Sequence, residues 1–317
     1  MSTRPVHHAV PAFFAVAGVA LAFAGLRPVM ADLFILSVYY LLLAGSWNLL
    51  AGFAGQYSFA HVGLATLGAY GTAALIHGAG LPGWAGFLLM PPLVALAGLG
   101  LGLIAMRVRG VQLPLITFAF AGAFAVFLAA ASDLTGGSMG MQIPKLVAGF
   151  DRSPYLILGG LLVALFFVVQ NLVVDGRLGF FMQAVRDNED VAHGMGVGIL
   201  GVKLWAFALT AALAGLAGAF YANYVGVLAP TMLSMGEMGF VVAMAVIGGL
   251  GHRYGALVGV ALIRTIEYTV RGFGAEYTLV IITGLALLVV LFFREGILSV
   301  VSQMLPTSQK RTARWQR

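Results

Sequence analysis

Not one cysteine occurs among the 317 residues, which excludes disulfides, thiolate metal sites and thiol redox chemistry. Six histidines are present, but no two are spaced H-x-x-x-H, so a zinc-type centre has no ligand pattern. Charge is scarce as well: Asp, Glu, Lys and Arg make up 9% of the chain against 61% hydrophobic residues, with a mean hydropathy of +1.00. Too few polar side chains remain to cover a soluble globule, so the composition is that of a polytopic membrane protein. A phosphate-cradling G-x-x-x-x-G-K-[ST] loop is absent too, because Lys145, Lys203 and Lys310 are followed by Leu146, Leu204 and Arg311. Gly196-Val197-Gly198-Ile199-Leu200-Gly201 fits G-x-G-x-x-G, yet it follows a polar helix and not a strand, which marks a glycine-rich helix end instead of a dinucleotide site.

What the chain has is long, unalternating apolar runs. Lipid leaves backbone groups nothing to bond to, so only helices or closed barrels span it, and runs of this length choose helices. They predict membrane helices near residues 9–26, 33–51, 60–77, 84–106, 111–131, 155–174, 203–225, 237–250, 254–270 and 277–293. Ten crossings put both ends on one side. The 43 glycines are about twice the usual ~7% share and suit close helix packing in a bilayer.

The net charge of +6 and pI of 9.8 come from basic residues spread through loops, with no aromatic-interleaved patch for nucleic acid. With the amino end inside, one side collects Arg4, Arg107, Arg109, Arg177, Arg186, Lys203, Arg253, Arg294, Lys310, Arg311, Arg314 and Arg317. The other collects Arg27, Lys145, Arg152 and Arg271. This asymmetry predicts an all-α bundle of about ten helices with both ends cytoplasmic. Ala22-Phe23-Ala24 mimics a signal-peptidase site, but the apolar length before it favours a retained helix. Residues 1–305 read as one transmembrane domain containing a cytoplasmic loop at 175–203, and residues 306–317 as a basic cytoplasmic tail.

The loop Asp175–Lys203 is the one long polar stretch. Gln183–Ala192 reads as a short helix whose Arg186, Asp187, Asn188, Glu189 and Asp190 cover most of its circumference, so it cannot lie in lipid. A solvated loop and a docking segment are both open on these residues alone. Two glycine-interrupted segments share a spacing, Gly52-x2-Gly55-x7-Gly63 and Gly248-x2-Gly251-x7-Gly259. Corresponding breaks in two halves point to a solute path near the midplane; chance repetition in a glycine-rich chain is the alternative. Asn48, Gln56, Ser58 and His61 offer hydrogen-bonding groups at the first break, as path or gate residues or as satisfied packing groups. Gly251, Gly255 and Gly259 line one helix face as a packing surface. Arg264 and Glu267, at i,i+3, are expected to pair about 15 Å deep by helix rise.

The run 48–61, NLLAGFAGQYSFAH, resembles the NLLxGxxGQxSxGH signature of the M-type permease subunits of branched-chain amino acid ABC importers (LivM-like), in the hydrophobic amino acid uptake class. Gly68-Ala69-Tyr70, Leu134-Thr135-Gly136-Gly137-Ser138, Gly176-Arg177, Ala184-Val185-Arg186-Asp187-Asn188-Glu189, Ala214-Gly215-Leu216-Ala217-Gly218 and Ile247-Gly248-Gly249-Leu250-Gly251 follow in the family's order. The resemblance spans roughly residues 45–296. It implies a permease in the bacterial inner membrane whose coupling segment, Arg186 to Asp190 with His193 and Gly196, touches an ATPase. It also implies a second related permease subunit, two ATP-binding subunits carrying ATP and Mg, and a soluble binding protein facing Thr135, Gly136, Gly137 and Ser138. No cofactor and no catalysis are assigned to this chain itself. His193-Gly194-Met195-Gly196 departs from the family's E-A-x-G-like ending, and Met139 stands where an acidic residue is common. Related permeases carry urea, amides or aromatic acids, so the solute stays open. An ion-coupled secondary transporter is the rival, but it normally needs acidic or histidine relays at mid-membrane, where Glu267 already faces Arg264. A membrane enzyme needs clustered catalytic groups, and Asp133, Asp151, Glu237 and His77 are dispersed.

Overall fold

A computed structural model describes residues 4–105, 107–108, 112–147 and 151–270, together with residues 280, 284 and 296–298. The long helices are α1 (Arg4–Phe23), α2 (Pro28–Asn48), α3 (His61–Ala79), α4 (Ala85–Ala105), α5 (Gln112–Ala130), α7 (Ser153–Val174), α10 (Ile199–Val225), α11 (Met235–Gly248) and α12 (Gly255–Val270). Between them lie the short helices α6 (Ser132–Thr135), α8 (Arg177–Asp187) and α9 (Glu189–Gly194). Nine of the ten expected runs are thus helices, and the run at 277–293 lies outside the described residues. Among the described residues, seven helices are long and apolar enough to cross a membrane, the span of α11 being counted from Pro230 with the turn before it. The apolar part of α1, Ala9–Phe23, is shorter, reaching about 22 Å against the ~30 Å hydrocarbon layer.

Helix α10 is the axis of the bundle, packing on α2, α3 and α4. Its middle carries Ala211, Ala214, Gly215, Ala217 and Gly218, small residues that let neighbouring backbones approach where lipid provides no hydrophobic drive. A Cβ on Gly218 would sit 1.8 Å from the Ala65 carbonyl oxygen, so α3 and α10 meet at this separation only with glycine there. Helix α5 is at the periphery: 17% of its apolar window is buried, with Leu115, Phe118, Val126 and Phe127 exposed.

The connections gather at two ends. At one, β1 (Met141–Gln142) pairs antiparallel with β2 (Val227–Leu228), Met141 opposite Leu228. There the Asn223 amide donates to the Gly83 carbonyl at 3.2 Å, and Arg152 donates to Asp32 at 2.5 Å. At the other end lie the segments 54–60, 175–198 and 249–254. The last two are joined by a bidentate contact between Arg253 and Asp175, and the first is held to α2 by an indole bond from Trp47 to the Ser58 carbonyl at 2.7 Å.

Candidate functional site

Helix α2 loses its regular pitch at Leu49–Phe53, which forms a π-helical turn, and then stops at Gly55, whose φ of +67° suits glycine. Irregular backbone in a membrane protein's helix bundle is tolerated only where protein or a cavity satisfies its groups. Here the second glycine-interrupted segment does so. The Gly251 N–H donates to Asn48 Oδ1 at 2.9 Å, and Asn48 Nδ2 donates to the His252 carbonyl at 2.9 Å. A Cβ on Gly52 would lie 2.3 Å from the Gly251 nitrogen, so the two breaks touch backbone to backbone.

Arg186, near the end of α8, reaches the same point. Its Nη1 donates to the Gly52 carbonyl at 2.9 Å, while Nε and Nη2 hold Asp187 Oδ1 at 3.0 and 2.9 Å. Gly55 packs on the Arg186 side chain, with room for no Cβ: one would lie 2.8 Å from Cγ. The polar loop is therefore tied to the break in α2 by a charge-assisted bond.

One expectation needs correction. Gln183–Ala192 is not one short helix but the end of α8 and the start of α9. Asn188 is extended (φ −161°, ψ 111°) and its side chain accepts from the Val191 N–H at 3.0 Å, so it ends α8 and caps α9. The two charges part: Arg186 turns to Gly52, and Glu189 pairs with Lys203 at 2.9 Å. Asp187, Asn188, Asp190, His193 and Gly196 are exposed.

Ser58 is buried, and its hydroxyl accepts from the Ala60 N–H at 3.2 Å. His61, the first residue of α3, is fully buried with no hydrogen-bond partner for either ring nitrogen. Gln56 is half-buried and reaches the Ala54 carbonyl at 3.4 Å. Gln56 and Ser58 line a cavity of ≈ 520 Å³ bounded also by Trp47, Tyr57, Leu113, Glu189 and Lys203. Asn48 and His61 lie outside its walls.

The glycine face of α12 packs within the chain: a Cβ on Gly259 would meet the Met244 carbonyl oxygen at 1.7 Å, and one on Gly255 the Gly249 carbonyl oxygen at 2.1 Å. Arg264 is buried and bonds Glu267; its guanidinium also lies 5.2 Å from the Tyr40 ring centroid, and the Tyr40 hydroxyl donates to Glu237 at 3.0 Å. At the opposite end, Gly136 and Gly137 have φ of +73° and +56°, and the Thr135 hydroxyl donates to the Leu128 carbonyl at 2.6 Å and accepts from the Gly137 N–H. Ser138 lies in the adjoining turn Gly137–Met139, and Met139 is 94% exposed.

Sequence reasoning missed the partners of these charges. Tyr40 with Glu237, Asp32 with Arg152 and Tyr224, and Asp175 with Arg253 are each separated by 78 residues or more, so no local spacing announces them. Asp175 raises the Arg253 pKa through its hydrogen bonds, and the Ser153 N–H lowers that of Asp151. Among the described residues no three His, Asp or Glu converge as a metal site.

Comparison with known proteins agrees with this architecture. Residues 29–291 match the family described as branched-chain amino acid transport system / permease component. The chain is 30% identical over 295 residues to the high-affinity branched-chain amino acid transport system permease protein LivM of Escherichia coli (strain K12), covering 84% of this chain and 69% of that one. It is 26% identical over 280 residues to LivH of the same organism, covering 82% and 91%. It is 27% identical over 284 residues to BraD of Pseudomonas aeruginosa, also covering 82% and 91%. No solved structure matches. A multi-pass helical chain matched over this much of its length belongs to the branched-chain amino acid transport system permease component family.

Proposed function

We propose that this chain is a translocating subunit of an ATP-driven importer in the bacterial inner membrane, carrying branched-chain amino acids or related small polar solutes. ATP and Mg belong to two separate ATP-binding subunits that dock on α8 and α9. A second related permease completes the membrane part, and a soluble binding protein delivers solute to the end bearing Thr135, Gly136, Gly137 and Ser138. The loop asymmetry supports placing α8–α9 in the cytoplasm, with residues 1–305 as the membrane domain and 306–317 as its tail.

The observation that carries the reading is the bond from Arg186 to the Gly52 carbonyl. A docking helix that moves with its ATPase drags Gly52 with it. Because Asn48 clamps Gly52's neighbourhood to Gly251 and His252, the α11–α12 turn must follow. A push at the surface thereby moves the two helix breaks together against the rest of the bundle, the kind of packed two-state element that alternating access requires. Gln56, Ser58 and His61 supply polar groups beside the moving break. A buried imidazole without partners costs about 1–3 kcal/mol, a cost that a passing zwitterion or its water can offset.

The test is reconstitution. The purified chain alone should hydrolyse no ATP, since it has no P-loop, and should support nucleotide-dependent uptake only with its partner subunits and binding protein. Robust hydrolysis by this chain alone, or uptake driven by an ion gradient without the ATPases, would remove the assignment.

A further inference from the structure

The cavity beside α9 is walled by Trp47, Tyr57, Phe59, Leu113, Val242 and Val246 together with the polar Gln56 and Ser58, and it carries one charged feature: the ion pair of Lys203 Nζ with Glu189 Oε1 at 2.9 Å. Its ≈ 520 Å³ lies within the range of small-molecule sites, about 300–1,000 Å³. The Lys203 side chain is 3% exposed and that of Glu189 27%. Burying such a pair brings little or no net stability, so fold energetics alone do not explain a lysine at this position. We propose that this cavity is a binding site for an α-amino acid zwitterion with an apolar side chain, on the coupling side of the membrane, with Lys203 recognising the carboxylate and Glu189 the ammonium.

The chemistry matches on each count. An ammonium carries three donors, and Lys203 uses one on Glu189, so it can donate another to a ligand carboxylate without giving up the pair. The carboxylate of Glu189 has acceptor capacity for a ligand ammonium. A zwitterion can bond both members of the pair, whereas a simple anion or cation can bond only one, so the site favours the zwitterion. Indole, phenol and valine walls suit a branched aliphatic side chain. The consequence is regulatory: Glu189 opens α9, so a solute seated here holds the docking helix against α10 and lets solute on the coupling side slow further turnover.

The inference rests on the proposed import function, and its test separates the two. Binding of tritiated leucine is measured on the assembled permease–ATPase complex in nanodiscs, without the binding protein, alongside ATP-driven uptake by the same preparation with it. Saturable leucine binding is expected, at least tenfold weaker in Lys203→Met and lost in Val246→Trp, which fills the box. In competition, 4-methylpentanoate, which lacks the ammonium, and leucinamide, which lacks the carboxylate, should each need at least tenfold higher concentration than leucine. A second readout is inhibition of uptake by leucine trapped on the coupling side, reduced in Lys203→Met. No saturable binding in a complex that transports normally, or binding unchanged by both substitutions, overturns the site while leaving the import function standing. Competition by 4-methylpentanoate equal to leucine overturns the zwitterion assignment.

Discussion

At the residue scale, Asn48 and Arg186 do what their neighbours cannot. Asn48 alone presents both an acceptor and a donor to the two orphaned backbone groups at Gly251 and His252. Asn48→Leu keeps the size but leaves both unpaired, at about 1–3 kcal/mol each, so the purified chain should melt earlier and assemble poorly. Asn48→Asp keeps the acceptor for Gly251 and should fall between the two in a detergent melting series; equal melting of all three would show that the clamp carries no weight. His61 makes the contrary prediction. With no partner to lose and an unpaired buried imidazole removed, His61→Leu should leave melting and assembly at or above wild type while lowering uptake severalfold, and a matched fall in assembly and uptake would return His61 to a packing role.

At the element scale, the fold is set by small residues on facing helices. Gly259→Val forces a side chain into the Met244 carbonyl, and overpacking of this kind costs about 1–3 kcal/mol. Gly122→Ala on α5, where nothing lies within 4 Å, is the control. Quantitative membrane expression should drop for the first and hold for the second; equal expression would mean α11 and α12 do not meet as described. The apolar runs made the helices legible in sequence because a membrane span writes its length directly into composition. The break in α2 was legible as glycines at 52 and 55, and its counterpart as glycines at 248 and 251. That the two touch was not, since two hundred residues separate Asn48 from Gly251 and no periodicity spans that gap. The loop helix was misread for a local reason: Asn188, a favoured N-cap followed by Glu189 and Asp190, carries a helix-start signal that the single-helix reading passed over, and its extended backbone ends α8 and caps α9.

At the scale of the whole molecule, the chain has one end built by β1, β2 and the Asp32–Arg152–Tyr224 group and another built by the two breaks with α8 and α9. The absence of cysteine makes their sidedness directly readable. Single cysteines at Asp151 and at Asp190 should differ in intact cells: the first labelled by an impermeant maleimide, the second only after permeabilisation. Labelling of both before permeabilisation would refute the cytoplasmic placement of α8–α9.

The most direct test of the central claim, that the docking segment moves the helix break through Arg186, is the ratio of solute imported to ATP hydrolysed by the reconstituted transporter carrying Arg186→Met. Loss of the bond to the Gly52 carbonyl should leave the ATPase subunits bound and hydrolysing while uptake falls at least tenfold, so that the ratio collapses. An unchanged ratio, with subunits still assembled, would contradict the account.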